Sequence, residues 1–294
     1  MLPATQLIQI RRTQKHLSKM KAMWIKKILG VALSLTLLAS FANAHEGLHE
    51  QIAAVTAKIK RDPKNASLYL QRGELHRLHR DWSRAAADYD RAAHLRPDLK
   101  VVDLARGKMF FDSGRLRRAK FALDRFLTQQ PDHYEGLITR ARVLAKIRAR
   151  DEAISDFSHA LAQSLPNPGP ELYVERAQVT AEDANRLDDA IKGLDEGIKT
   201  LGPLVTLQLS AIELELRRHN YDAALVRLDT VTSQSERKEA WLVRRGEILK
   251  LAGREADARA AFNSALVAIE SLPPEHRQNK AVIALQLRPR RALQ

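Results

Sequence analysis

The 294-residue chain contains no cysteine, and aromatic residues make up only 5% of it. The lack of cysteine excludes a disulfide framework, a thiol nucleophile and the lipid-attachment cysteine of bacterial lipoproteins, so packing alone must stabilise the fold. The 12 glycines and 11 prolines are too few for a fibrous or disordered chain, whereas 45% hydrophobic residues are enough for a substantial core. The composition therefore indicates a folded protein without covalent cross-links.

Acidic residues are missing from the first 44 positions, which hold seven of the 49 Lys and Arg residues. The other 42 basic residues stand against all 35 acidic ones, so residues 45–294 carry only +7 of the net charge of +14. A nucleic-acid interface needs a concentrated basic face with stacking aromatic rings. The modest charge and the scarcity of aromatic residues therefore predict no nucleic-acid partner.

The basic N-terminal block is typical of an export signal. Two lysines precede an apolar run of about 14 residues at 28–41, and Ala42-Asn43-Ala44 matches the small-x-small motif of signal-peptidase sites. The run is shorter than the roughly 20 residues of a membrane-spanning helix, so a retained anchor is the less favoured alternative. The sequence predicts a signal peptide over residues 1–44, with translation from Met23 as a variant of ordinary length. The mature chain would begin at His45 and be periplasmic or secreted, without a stable membrane anchor.

A period near 34 residues runs through the rest of the chain. Its clearest copy places Tyr69, Gly73, Ala85, Tyr89 and Pro97 at the offsets of a helix–turn–helix repeat. The copies predict six repeats, at 66–99, 100–133, 134–169, 170–204, 205–238 and 239–272. A capping helix within 45–65 and a closing, polar-faced helix with a tail within 273–294 would cover the ends of the array. The stretch Pro166–Pro170 is either a turn between repeats or a hinge between two halves.

Small residues recur where the two helices of a repeat cross. On the first helix they are Gly73, Gly107, Ala141, Ala177 and Gly246, and a larger side chain there would push the helices apart. On the second helix, the rings of Tyr89, Phe157 and Phe262 fill the space between successive pairs. Gly114 and Gly253 suit tight turns between helices, while Pro97 and Pro131 end second helices. The fifth repeat, with Ile212 at the small position, is the least regular.

From about residue 66 to residue 270 this pattern resembles the tetratricopeptide-repeat (TPR) family. The resemblance implies an all-α, right-handed solenoid of about six helix pairs with a capping helix at each end. It also implies a non-enzymatic scaffold, whose concave groove is lined by the first helices and holds a peptide segment of a protein partner. That partner would be another exported or envelope protein.

Carried over by offset, the resemblance places one set of residues in this groove: Leu70, Glu74, Arg77, Leu104, Lys108, Phe111, Ile138, Arg142, Lys146, Val174, Gln178, Leu209, Glu213, Val243, Glu247 and Lys250. The position that Leu70 holds in the first repeat is apolar in all six repeats, and the middle repeats add basic residues. An apolar floor with a basic middle would suit a peptide with hydrophobic anchors and an acidic segment. In the alternative, the apolar residues pack against the next helix pair.

An arginine precedes the small residue in five repeats, as Arg72, Arg106, Arg140, Arg176 and Arg245. Asp88 and Asp156 follow Arg72 and Arg140 by 16 residues. We interpret these arginines as members of exposed ion pairs between paired helices, worth about 0–1 kcal/mol each, rather than as a ligand-binding ladder.

Histidines near the predicted mature N-terminus favour a second function. The segment from His45 to His49 matches the H-E-x-x-H motif, but a zinc protease also needs a third ligand and a sheet-lined cleft, which this pattern does not predict. A free amine and imidazole at His45 could instead bind copper or zinc together with His49, His76 or His79. Other nucleophile and phosphate-binding motifs are absent, so we expect no enzyme and no cofactor. A periplasmic metal-handling protein remains the alternative to a scaffold.

Overall fold

The computed structural model describes residues 47–164 and 168–294. The predicted signal peptide and His45 lie outside these residues, as do the first two residues of the proline-rich stretch 166–170. The described residues form helices and turns and contain no strand. The chain divides into two compact units, Met1–Met109 and Phe110–Gln294, and the division lies within a helix.

The first unit contains α1 at 47–61, α2 at Ala66–Leu78, α3 at Trp82–Leu95 and most of α4, Val101–Asp112. Side chains cap the starts of two of these helices. The Asn65 side chain accepts a hydrogen bond from the Ser67 amide at 3.2 Å, and the Asp81 side chain accepts one from the Arg84 amide at 3.2 Å. Such caps satisfy amides that have no partner within the helix.

The second unit continues from the end of α4 through eleven further α-helices of the described chain: α5 Leu116–Gln129, α6 Tyr134–Lys146, α7 Arg150–Gln163, α8 Pro170–Thr180, α9 Leu187–Leu201, α10 Val205–Arg217, α11 Tyr221–Ser233, α12 Glu239–Leu251, α13 Glu255–Glu270, α14 Pro274–Arg277 and α15 Lys280–Ala292. A 3₁₀ turn at Ala184–Arg186 leads into α9. From α2 to α13 the helices follow one another as six helix–turn–helix pairs, and the predicted all-α class is confirmed for the described residues.

Glycine on the first helix of a pair makes room for an aromatic ring on the second. A Cβ atom added at Gly73 would lie 2.5 Å from Tyr89 Cε1, and one added at Gly246 would lie 2.5 Å from Phe262 Cε1. In the fifth pair the first-helix residue is larger and the second-helix residue is smaller than in the other pairs. Ile212 stands at the small position and Leu228 at the aromatic one, and both belong to one core cluster. Complementary volume, rather than glycine itself, is what this crossing requires.

Five of the six turns between the helices of a pair contain one left-handed residue, and the turn between α8 and α9 is the exception. Gly114 and Gly253 have φ of 73° and 72°, as expected for tight turns. Three other turns use residues that sequence reasoning did not single out, since Arg80, Arg148 and His219 have φ of 61°, 64° and 60°. A non-glycine residue pays a steric cost of roughly 1–2 kcal/mol in this conformation.

The closing segment differs from the single polar-faced helix that the sequence predicts. It forms two helices, α14 and α15, because the Asn279 side chain accepts a hydrogen bond from the Ala281 amide at 2.9 Å and starts a new helix. Helix α15 packs on α12 and α13. Its outer face is not wholly polar, since Ile283 and Leu287 are exposed by 46% and 45%.

Candidate peptide-binding surface

The apolar residues predicted for the groove floor lie at different depths. Leu104, Ile138 and Val243 are buried, with 3%, 7% and 0% of their surface exposed. Leu70 is half-buried, as are Val174 and Leu209. The burial of Leu104, Ile138 and Val243 favours the alternative in which this offset packs within the repeat array.

In the first unit the predicted basic residues gather around one carboxylate. Glu74 accepts a hydrogen bond from the Tyr89 hydroxyl at 2.6 Å and from Arg77 Nε at 3.1 Å, and Lys108 Nζ lies 3.8 Å away. Burial is the main cause that raises the pKa of the Tyr89 phenol, and its hydrogen bond to Glu74 adds to the effect. Glu74 therefore offsets part of the positive charge predicted here.

In the second unit, Arg142 is also held by a carboxylate. Its guanidinium donates two hydrogen bonds to Glu175 on α8, from Nε at 2.8 Å and from Nη2 at 2.7 Å. This hydrogen bonding raises the pKa of Arg142. Lys146, one turn further along α6, lies with its Nζ atom 5.8 Å from the centre of the Phe111 ring. The sequence predicts a free basic centre, but the structure places Arg142 in a bidentate ion pair.

Ion pairs also link the later first helices, but there the acidic residue lies on the earlier helix and the arginine on the later one. Glu213 on α10 pairs with Arg244 on α12, which also lies 3.7 Å from Glu247. Glu247 in turn pairs with Arg288 on α15. Sequence reasoning missed the partners Glu175, Arg244 and Arg288, although an opposite charge about one repeat further along the chain was a usable signal.

These ion pairs place α6 beside α8, and α12 beside both α10 and α15, while α8 also packs against α10. We call the outward side chains of these neighbouring helices the first-helix surface. Its exposed predicted members are Lys146, Gln178, Glu213 and Lys250, with Arg142 half-buried among them. This surface carries both signs of charge and is therefore more mixed than the predicted basic groove.

The repeated arginines do not form a ligand ladder on the described residues. Arg72 donates to both Asp88 oxygens at 2.8 and 2.7 Å, and Arg140 does the same to Asp156 at 2.7 and 2.8 Å. The pairing is as predicted, but the predicted exposure is wrong. Asp88 and Asp156 are 5% and 6% exposed, because the small residue beside each arginine lets the second helix approach closely.

Each repeated arginine also contacts the helix that precedes its own pair. Arg140 Nη1 lies 3.1 Å from Asp124 on α5, and Arg106 Nη2 lies 2.5 Å from Asp90 on α3. Arg245 reaches Asp229 on α11 in the same way. One arginine thus joins the second helix of one repeat to the next repeat, which stabilises the stacking of repeats.

The candidate metal-binding histidines are partly brought together. The rings of His49 and His79 lie 4.6 Å apart between centroids, in an edge-on arrangement. His76 is buried, with its Nε2 atom 3.9 Å from Asp88, and burial lowers its pKa below the ordinary 6.5. Within residues 47–164 and 168–294, no three His, Cys, Asp or Glu side chains form a group that could hold a metal ion. His45 lies outside these residues.

Among the described helices, none is both long enough and apolar enough to span a bilayer.

Two family models match the chain. The tetratricopeptide repeat model matches residues 52–99 and 104–168, and the tetratricopeptide repeat-like domain model matches residues 171–287. No curated protein matches the chain.

Several solved structures share the fold. A tetratricopeptide repeat protein from Parabacteroides merdae is 17% identical with a TM-score of 0.51, over 85% of this chain and 96% of that one. PilW, described as a type IV pilus biogenesis factor, is 21% identical with a TM-score of 0.52, over 70% and 95%. YrrB, described as a TPR protein with an unusual peptide-binding site, is 17% identical with a TM-score of 0.50, over 71% and 98%. At these identities the likeness establishes the fold.

Proposed function

Since this chain is built from tetratricopeptide repeats, we propose that it is an exported scaffold without enzymatic activity, which binds a peptide segment of a partner protein on its first-helix surface. TPR domains bind protein partners, and that coarse assignment follows from the family models. The peptide mode, the surface and the export are our proposals.

The observation that carries the proposal is the row of first helices joined by ion pairs. Arg142 and Glu175 hold α6 against α8 through two hydrogen bonds of 2.8 and 2.7 Å. A surface whose side chains are already fixed loses less conformational entropy when a peptide binds. The row therefore offers a preorganised platform, on which Lys146, Gln178 and Lys250 are exposed.

The chemistry of this platform favours a peptide with acidic groups. Lys146 and Lys250 are exposed cations, and Arg142 could exchange part of its bonding to Glu175 for a peptide carboxylate. Because Leu104, Ile138 and Val243 are buried, the peptide's apolar anchors would have to use the half-buried Val174 and Leu209. We therefore expect modest affinity with marked salt dependence.

Export follows from the predicted signal peptide and is tested separately. Fractionation of cells, followed by mass measurement of the intact protein, would show a mature chain beginning at His45 in the periplasm or medium. A chain that keeps residues 1–44 and stays in the cytoplasm would contradict export, and would leave the peptide-binding proposal standing.

The main experiment is affinity capture from envelope extract with the mature chain as bait. The test variant is Arg142→Ala, Lys146→Ala and Lys250→Ala together. The matched control replaces three exposed cations outside the first helices, Lys199, Arg259 and Arg277, so that it loses the same charge. Partners lost with the test variant but kept with the control support the proposal. If partners are lost equally with the test variant and with the control, the binding is a general effect of charge and the proposal is contradicted.

A second candidate function rests on the contact between His49 and His79. Two imidazoles 4.6 Å apart, joined by the amine and ring of an N-terminal His45, would supply the nitrogen donors that copper prefers. Titration of the mature chain with Cu²⁺ tests this, followed by calorimetry of the His45→Ala and His49→Ala variants. Binding that both substitutions abolish supports metal handling, and unchanged weak binding in both variants contradicts it.

A further inference from the structure

The outward face of α5 combines features that the first-helix surface does not explain. Its buried side contains Ala119, Leu123 and Phe126, while Arg117, Arg118, Phe121 and Arg125 are exposed on the opposite side. We call these four outward residues the α5 face. Phe121 is 67% exposed, whereas the other phenylalanines that the structure describes are buried or half-buried.

The side chains of the arginines at the start of α5 lack acidic partners. In the part of the chain that the structure describes, the side chains of Arg115 and Arg117 make no hydrogen bond or ion pair, and the Arg118 guanidinium lies 6.0 Å from the centre of the Phe110 ring. By contrast, arginines such as Arg140 and Arg142 are held by carboxylates. These unpaired cations therefore keep their charge available to a partner.

The surface beside these arginines is open to solvent. An open depression of about 530 Å³ is lined by Arg115, Leu116, Arg117 and Arg118. From Arg117 to Arg125 the face extends for about 12 Å, at a rise of 1.5 Å per residue. An extended peptide covers that distance with about four residues. Aromatic side chains and arginines are also the types most enriched at the energetic centres of protein interfaces.

We propose that the α5 face is a second docking surface, which binds a short acidic segment of a partner protein with one apolar side chain placed against Phe121. The arginines would hold the acidic groups, since a guanidinium forms paired hydrogen bonds with a carboxylate. This surface lies on a second helix of a repeat and does not depend on the first-helix surface.

The charge and composition of the α5 face favour an acidic segment of a partner protein over other possible occupants. Residues 1–44 contain seven basic and no acidic residues, and residues 45–294 carry a net charge of +7, so neither the presequence nor a second copy is complementary. A membrane surface would find only one apolar side chain on the α5 face, too little for insertion. A nucleic-acid strand needs several stacking rings along a longer cationic track.

The test uses three probes with the mature chain: a fluorescent acidic peptide with a central leucine, an oligothymidylate strand, and vesicles containing phosphatidylglycerol. The variants are Phe121→Ala and the double substitution Arg117→Ala with Arg118→Ala. All three side chains are exposed, so folding should be retained, and thermal unfolding checks this. The control combines Val226→Ala with Arg259→Ala, because Val226 is also 67% exposed and both residues lie on second helices.

We expect each α5 variant to weaken peptide binding by about tenfold, with little change in the control. Replacing the peptide's leucine with serine should have the same effect as Phe121→Ala. The first-helix variant of Arg142, Lys146 and Lys250 should bind this peptide normally, which separates the two surfaces. Equal losses in the control, or variant-sensitive binding of the oligonucleotide or the vesicles instead of the peptide, would overturn the proposal.

Discussion

The ion pair between Arg140 and Asp156 should stabilise the fold far more than the pair between Arg245 and Asp229, although both belong to the same arginine series. The side chain of Asp156 is 9% exposed and accepts two hydrogen bonds, whereas the side chain of Asp229 is 59% exposed. Removing one partner of a buried pair costs about 3–5 kcal/mol, while an exposed pair is worth about 0–1 kcal/mol.

The surroundings of Arg140 lower the expected loss of stability for Asp156→Ala below the upper end of this range. Arg140 keeps contact with Asp124 at 3.1 Å, and its side chain is 24% exposed, so the remaining charge is neither isolated nor fully buried. We therefore expect a loss of about 2–3 kcal/mol for Asp156→Ala and below about 1 kcal/mol for Asp229→Ala. The gain in helix propensity from aspartate to alanine is similar in both variants and cancels in the comparison.

Urea unfolding followed by far-UV circular dichroism measures the two losses, and both residues lie in the second unit. A double-mutant cycle with Arg140→Ala should give a coupling energy with Asp156 above about 1 kcal/mol, as expected for side chains in direct contact. Equal losses for Asp156→Ala and Asp229→Ala, or no coupling to Arg140, would refute the view that burial sets the strength of these pairs.

Three further predictions concern packing, turns and pH. Gly246→Ala should destabilise the fold by about 1–2 kcal/mol, because overpacking against Phe262 outweighs the gain in helix propensity. Adding Phe262→Leu should restore most of this stability. Urea unfolding of the single and double variants measures both effects. Arg148→Gly should raise stability by up to about 1 kcal/mol and Gly253→Ala should lower it, since both positions have positive φ; opposite shifts in melting temperature are expected. Burial lowers the pKa of His76 below 6.5, so its neutral form stabilises the fold above that pH and the contribution is lost as the pH falls below it. Unfolding at about pH 7.5 and about pH 5 should show this loss in the natural chain, and less of it in His76→Asn.

Features that depend on one helix pair could be predicted from the sequence. Gly73 and Tyr89 occur at offsets that meet within a pair, and Arg72 and Asp88 are 16 residues apart for the same reason. The structure shows both contacts. The degree of burial could not be predicted, because an ion pair looks the same in a sequence whether water reaches it or not.

Features that depend on neighbouring pairs were largely missed. The Arg142–Glu175 contact spans 33 residues, and its geometry follows from how one repeat stacks on the next. Sequence reasoning therefore assigned a free positive charge to a residue that is already neutralised. The left-handed turn at Arg148 was also missed, because the sequence pattern points to glycine for such turns and tertiary packing imposes the conformation on another residue.

The most direct test of the proposed scaffold is site-specific photocrosslinking in living cells. A photoreactive amino acid replaces Gln178 on the first-helix surface, and in a separate strain it replaces Val226, which is exposed on a second helix. The account predicts a protein adduct at Gln178 that disappears when Arg142 and Lys146 are both changed to alanine, with no adduct at Val226. An adduct at Val226 but not at Gln178, or one at Gln178 that survives both alanine substitutions, would contradict peptide binding by the first helices.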